Sequence, residues 1–168
     1  MSTRPVYVLD SDVLMTAARS YYAFDLVPAF WEALVREARN GRLLSVDRVK
    51  AEIDRGKDRL KEWVNNDFRE WFESTSADPV VAQYRLMMQW ASAQSHFTDA
   101  AKAEFADTGN ADPWLVAYAK ATNRIVVTNE TYDPNIRRRI KIPNVCKAFG
   151  VDCVNLFEML RALKIQLS

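Results

Sequence analysis

The sequence predicts an α/β fold: three layers, α/β/α, helix-rich, around a short and mainly parallel sheet. Three observations predict it. The runs Val6-Tyr7-Val8-Leu9 and Ile125-Val126-Val127-Thr128 lack polar alternation, so they read as strands buried on both faces. Between them lie segments with apolar residues three and four apart, the period of helices packed by one face. Strands alternating with helices call for a parallel sheet covered on both sides. A length of 168 residues fits one domain, 1–168.

The elements follow in order. Pro5 to Leu9 forms the first strand, ended by Asp10. Ser11 or Asp12 caps a helix carrying Val13, Leu14 and Ala17. A second helix begins near Leu26, carries Phe30, Leu34 and Ala38, and stops at Asn40-Gly41. Leu43-Leu44 is a very short strand. Ser45 or Asp47 then caps a helix with Val49, Glu52 and Ile53, broken at Gly56, and a charged helix with Leu60, Trp63 and Val64 follows. Asp78-Pro79 opens the longest helical pattern, to about Gln94. Lys102 to Phe105 is a short helix. Asp107 to Asn110 turns the chain, and Asp112-Pro113 opens the helix of Leu115, Val116, Tyr118 and Ala119. Arg124 to Thr128 is the clearest strand. Asp133-Pro134 is a turn. Arg139 to Ile142 and Val151 to Val154 read as short final strands, with helices after Pro143 and Asn155.

Composition narrows the chemistry. The four glycines, Gly41, Gly56, Gly109 and Gly150, are isolated, so no Gly-rich loop can cradle a phosphate. His96 is the only histidine and reads as ordinary surface, so no His pair can exchange protons. Cys146 and Cys153 are too few for a zinc site and read as buried apolar positions. An enzyme built from this inventory must work mainly with carboxylates. The N-terminal Met1-Ser2-Thr3-Arg4-Pro5 reads as neither leader nor anchor, and no apolar run is long enough for a membrane span, so a cytoplasmic location without membrane contact is expected. Net charge is only +1, yet the stretch from Arg137 onward carries a net +5 and the rest −4. An acidic body beside a basic C-terminal face suits cations at one place and phosphates next to it.

Four acidic motifs occur in order: Val6-Tyr7-Val8-Leu9-Asp10-Ser11-Asp12, Val49-Lys50-Ala51-Glu52-Ile53, Asn110-Ala111-Asp112-Pro113-Trp114 and Ile125-Val126-Val127-Thr128-Asn129-Glu130. Taken together they resemble the PIN-domain family of metal-dependent ribonucleases, in particular the single-domain, VapC-type toxin-like branch of prokaryotes. The resemblance runs from about Val6 to Val154. It implies that Asp10, Glu52, Asp112 and Glu130 are metal ligands and, with Thr128, the catalytic set. Asp12 matches the third position of the opening motif, and Asn129 and Asp133 stand as supporting residues. Glu130 departs from the usual Asp, and its extra methylene moves the oxygens by about 1.5 Å. Arg137, Arg138, Arg139 and Lys141 are the candidate phosphate contacts. The resemblance further implies Mg²⁺ or Mn²⁺, an RNA substrate, an antitoxin partner and a homodimer. Tyr21, Tyr22, Phe24 and Trp31 are the candidate antitoxin patch.

The residue types suit that chemistry. Clustered carboxylates repel by several kcal/mol at ~4 Å and an effective dielectric of ~20. Hard divalent cations held by oxygen relieve this, and they activate water toward a phosphodiester. Viewed singly, Asp112 before Pro113 also fits an N-cap, Glu52 a solvated helix acid near Arg48 and Arg55, and Glu130 a surface loop acid. Two other functions fit the motifs. Asp10-Ser11-Asp12 also opens haloacid-dehalogenase-type phosphohydrolases, with Asp10 as nucleophile, although Thr128 after Asp112 is the wrong order for them. A catalytically weak PIN-like module that binds RNA or protein is the other.

Overall fold

The computed structural model of the chain describes residues 4–167. Met1-Ser2-Thr3, the head of the segment read as neither leader nor anchor, and Ser168 lie outside the described residues. Five strands form one parallel sheet in the order β3-β2-β1-β4-β5, flanked by helices in three layers. The strands are β1 (Tyr7–Leu9), β2 (Leu43–Val46), β3 (Phe72–Glu73), β4 (Ile125–Val127) and β5 (Cys153–Val154). The helices are α1 (Ser11–Thr16), α2 (Pro28–Arg39), α3 (Asp47–Asp54), α4 (Arg59–Asn66), α5 (Asp78–Ala93), α6 (Asp99–Ala106), α7 (Asp112–Thr122), α8 (Ile142–Phe149) and α9 (Leu156–Ala162). No helix among the described residues is long and apolar enough to cross a membrane.

The central strands are as apolar as the sequence demanded. Val8, Leu9, Val126 and Val127 are fully buried, with Leu43 and Val46 beside them. Strand β1 pairs with β2 in the register Tyr7–Leu43 and with β4 in the register Tyr7–Ile125. The chain builds outward from β1 to β3 on one side and restarts at β4 on the other. The order therefore reverses between β1 and β4. In open parallel sheets, ligands bind beyond the carboxyl ends of the strands at this kind of switch point. Asp10 and Thr128 are the residues that leave β1 and β4 there.

Several local expectations need correction. The cap of α1 is Asp10, whose carboxylate accepts from the Asp12 amide. Ser45 caps nothing: it lies inside β2, and its hydroxyl donates to the Leu9 carbonyl at 2.6 Å. Asp47 opens α3 but receives the Thr75 hydroxyl at 2.8 Å, tying α3 to the segment after β3. Strand β3 was not expected, because a two-residue edge strand carries no periodicity. The anticipated strand Arg139–Ile142 is irregular chain leading into α8, where Pro143 fits the first turn of a helix. A π-helical turn, Ala17–Tyr21, extends α1.

Nor does the aromatic patch form as expected. Trp31 is buried, Phe24 stacks on it at 4.0 Å between centroids, and Tyr22 stacks on Phe30 at 4.3 Å. These rings pack α2 against Trp63 of α4, and only Tyr21 of the four is exposed. His96 is half-buried, and its Nε2 pairs with the Ile136 carbonyl at 2.8 Å, pinning the loop before α8. Cys146 is buried as expected, whereas Cys153 is half-buried.

Helix α6 supplies a test of local stability. Thr98 is its N-cap and accepts from the Ala101 amide at 3.1 Å. Thr98→Ala should lower the unfolding free energy by about 1 kcal/mol, and Thr98→Ser should restore it. Urea midpoints at constant m-value measure this; an unchanged midpoint for the Ala variant would remove the cap's role.

Candidate metal and active site

The carboxyl ends of β1 and β4 open into a cleft of about 750 Å³. Seven carboxylates line it: Asp10, Asp12, Glu52, Glu104, Asp107, Asp112 and Glu130. Among the described residues only two cations, Arg55 and Arg139, face them. The imbalance makes this the part of the molecule most in need of positive charge.

Asp10 is 2% exposed. Its Oδ2 accepts from the Thr128 hydroxyl at 2.9 Å, and its Oδ1 accepts from the Asp12 amide at 3.4 Å and the Ser11 hydroxyl at 3.5 Å. The Thr128 hydroxyl in turn accepts from the Glu130 amide at 3.2 Å. Thr128 thus joins the end of β4 to the end of β1. Burial and the charges of Glu130 and Asp12 push the Asp10 carboxyl up to about 7, against the Thr128 and Asp12 hydrogen bonds, which pull it down. A buried nucleophilic Asp10, as the phosphohydrolase reading requires, would have to release oxygens already engaged by these donors.

Asp112 stands across the cleft at the start of α7. It does not cap its helix. Glu52 Oε2 takes the Ala111 amide at 3.2 Å, and Asn110 Oδ1 takes the Asp112 amide at 3.0 Å. Capping by neighbours leaves the Asp112 carboxylate without a hydrogen-bond donor among the described residues. Its nearest cation is Arg139 Nη2 at 3.9 Å. Burial, with the charges of Asp10, Glu130 and Glu52, pushes it up to about 8, and Arg139 pulls it down.

Glu52 is no solvated helix acid. It is half-buried on α3, receives the Ser11 hydroxyl at 2.6 Å on Oε1, and so bridges the start of α1 to the start of α7. Glu130 turns toward α8: Oε1 pairs with Arg139 Nη2 at 3.0 Å, and Oε2 accepts the Ile142 amide at 3.3 Å. The additional methylene lets it reach that helix N-terminus. Arg139 therefore points into the cleft, also facing Glu104 at 3.8 Å, whereas Arg137 and Arg138 stay exposed and Lys141 is half-buried. Asn129 lines a neighbouring pocket with Asp12. Asp133 lies outside the cleft, where its carboxylate closes the turn at Asn135. Sequence reasoning read Ser11 only as a helix cap and Arg139 only as a phosphate contact, because the Ser11–Glu52 hydrogen bond spans 41 positions and the Arg139–Asp112 contact joins separate elements, and neither leaves a periodic trace.

The donor set fits a hard divalent cation. Among the described residues no group of three His, Cys, Asp or Glu side chains is already arranged around an ion, since Glu52 and Glu130 are turned to other donors. Of the remaining acids, Asp10 and Asp112 are the two whose carboxyls burial and neighbouring acids push up. Mg²⁺ is commonly bound by one or two carboxylates, with water and substrate phosphate completing the shell. The Asp112 oxygens, which accept no hydrogen bond among the described residues, are where such an ion fits best.

Solved structures of similar shape define the fold. The crystal structure of FitAcB from Neisseria gonorrhoeae superposes with a TM-score of 0.55 at 17% identity, covering 89% of this chain and 97% of that chain. The structure of FitAB bound to an IR36 DNA fragment gives 0.53 at 17%, covering 89% and 94%. VapBC2 from Rickettsia felis, bound to a DNA fragment from their promoter, gives 0.51 at 15%, covering 89% and 98%. The chain thus shares the three-layer α/β/α fold of these structures, as the PIN-like expectation required. No curated protein matches the sequence. Residues 7–167 match the profile described as a domain of unknown function, DUF4411, and the chain belongs to that family.

Proposed function

We propose that the chain is a Mg²⁺- or Mn²⁺-dependent endoribonuclease acting on single-stranded or structured RNA, and that it is the toxin of a toxin–antitoxin pair. The observation that carries the nuclease reading is the pairing of Asp10 and Asp112 in a cleft with seven acids and two arginines. A polyanionic substrate cannot approach such a cleft unless cations screen it.

Asp10 and Asp112 would hold the ion, with Glu130 within reach after release from Arg139. Bound there, it supplies charge neutralisation for the scissile phosphate and acidifies a coordinated water. The chain's own groups set the geometry. Thr128 fixes the rotamer of Asp10 and holds the Glu130 amide. Glu52 keeps Ser11 and the first turn of α7 in register, so that Asp112 faces Asp10. Arg137, Arg138 and Lys141, on the adjoining segment, give phosphate contacts along the strand. The toxin role, with an antitoxin as partner, draws support from the fold shared with FitAB and VapBC2.

The test is direct. Purified chain should cut a single-stranded RNA in Mn²⁺ or Mg²⁺ and stop on addition of a chelator. Asp112→Asn should remove the cutting, and induced expression in bacteria should arrest growth only with Asp112 intact. Cleavage undiminished by chelator, or by Asp112→Asn, would rule the metal reading out. Growth unaffected by an active nuclease would separate the toxin role from the chemistry.

A further inference from the structure

Beside the acidic cleft lies a second pocket, of about 420 Å³, and we propose that it is a nucleobase subsite which seats an unpaired base flanking the scissile phosphate. Resting on the nuclease reading, this inference adds to it the part of the substrate that is recognised. Asp12 lines both the cleft and the pocket, so the two adjoin. The pocket's walls are Tyr21 and Phe157, and Thr16, Asn129 and Asn155 supply its polar lining.

Tyr21 is 58% exposed and Phe157 42%, unusual for aromatic rings on a protein with a well-filled core. Their centroids are 6.2 Å apart and their planes 72° from parallel. In an edge-to-face pair, one ring's face is covered by an edge while the other ring's faces stay open. Open π-faces at the rim of a small pocket suit a flat heterocycle, since stacking of a base on an aromatic ring tolerates any sequence.

The polar lining suits the edge of a base. Asn129, the residue after Thr128, has no side-chain hydrogen-bond partner among the described residues, so its amide offers both donor and acceptor. Asn155 caps α9 through Oδ1, which accepts from the Glu158 amide at 2.8 Å, and its NH₂ group remains available. Single-stranded RNA is read in this manner, by stacking together with hydrogen bonds to splayed bases. The backbone contributes as well. Tyr21 ends the π-helical turn Ala17–Tyr21, and such turns re-aim side chains and occur frequently at functional sites.

The experiment uses the full chain and a fluorescein-labelled single-stranded RNA octamer, with binding followed by anisotropy and cutting followed in Mn²⁺. Tyr21→Leu and Phe157→Leu should each weaken RNA binding and raise KM by about tenfold, acting far less on kcat. Tyr21→Phe should restore binding, since it keeps the ring. An abasic nucleotide beside the scissile bond should weaken wild-type binding by a similar factor and add nothing to the loss in the double Leu variant. Both positions are exposed, and circular dichroism checks that the variants fold. Unchanged RNA affinity in the Leu variants, or an abasic penalty equal in variant and wild type, overturns the proposal and leaves the pair as a face for a protein partner. If wild type binds the RNA through Tyr21 and Phe157 but does not cut it, the nuclease reading fails and the subsite stands. If it neither binds nor cuts, both fall.

Discussion

Asp10→Asn should abolish RNA cleavage, by at least about 10³-fold if it removes electrostatic stabilisation of the transition state, and at the same time stabilise the metal-free protein at pH 8. The second effect follows from the environment of the carboxyl. Burial chiefly, then Glu130, raises Asp10 to about 7, and burial with Asp10 and Glu130 raises Asp112 to about 8. Both values lie above the ordinary 3.8, so between about pH 4 and 8 these two sites bind more protons in the folded chain than in the unfolded chain. Stability therefore falls as pH rises through that window. Asn carries no charge, still caps α1, and still presents an oxygen to Thr128. The variant should melt higher than wild type at pH 8, by roughly 5 °C for a gain of about 2 kcal/mol in a chain of this size. The difference should vanish near pH 4, where wild-type Asp10 is protonated. Mn²⁺ should raise the wild-type melting temperature at pH 8 by mass action and leave Asp10→Asn nearly unmoved. Scanning fluorimetry across pH, with and without Mn²⁺, reads all of this. A variant that melts lower at pH 8 and responds to Mn²⁺ like wild type would break the argument at its root.

Strands β1 and β4 were legible because each is a run of apolar residues ended by a polar residue that the sheet has no room to bury unsatisfied. Asp10 and Thr128 were legible for the same reason, and the structure joins them by a hydrogen bond. Asp112 was legible as a helix start but ambiguous in role. What resolves the ambiguity is Glu52, which supplies the cap from 59 positions away. No local pattern encodes that reach. Strand β3 was too short to leave a period. The segment 139–142 misled for a different reason: its alternation of Ile with Arg and Lys looks like a strand, yet Pro143 starts a helix and the Arg139 side chain answers the charge of the cleft. Tyr21 and Phe157, near opposite ends of the chain, meet because the segments that follow β1 and β5 both leave the carboxyl end of the sheet, with only β4 between those strands.

Arg139→Ala should strengthen Mn²⁺ binding, by roughly five- to thirtyfold. Of the two cleft arginines, Arg139 is the one that meets the acids: it pairs with Glu130 at 3.0 Å and lies 3.9 Å from Asp112 and 3.8 Å from Glu104. In that place it competes with an ion for the same oxygens. Two unit charges 4 Å apart interact by about 4 kcal/mol at an effective dielectric of 20. The guanidinium is nearly half exposed, at 45%, so solvent reduces its hold to about 1–2 kcal/mol. Its removal leaves Glu130 free and the acids uncompensated, and each 1.4 kcal/mol gained by an incoming ion is a factor of ten. Without metal the same variant should lose stability at pH 8, because Asp112 loses the one charge that pulls its carboxyl down. Arg138→Ala provides the contrast. Its side chain is exposed outside the cleft, so Mn²⁺ affinity should stay unchanged while RNA binding weakens and its salt slope drops by about one. Isothermal titration with Mn²⁺ at pH 8 distinguishes the two. If Arg139→Ala binds Mn²⁺ no better than wild type, Arg139 is not the competitor for the ion, and the cation requirement of the cleft must be met by some other group.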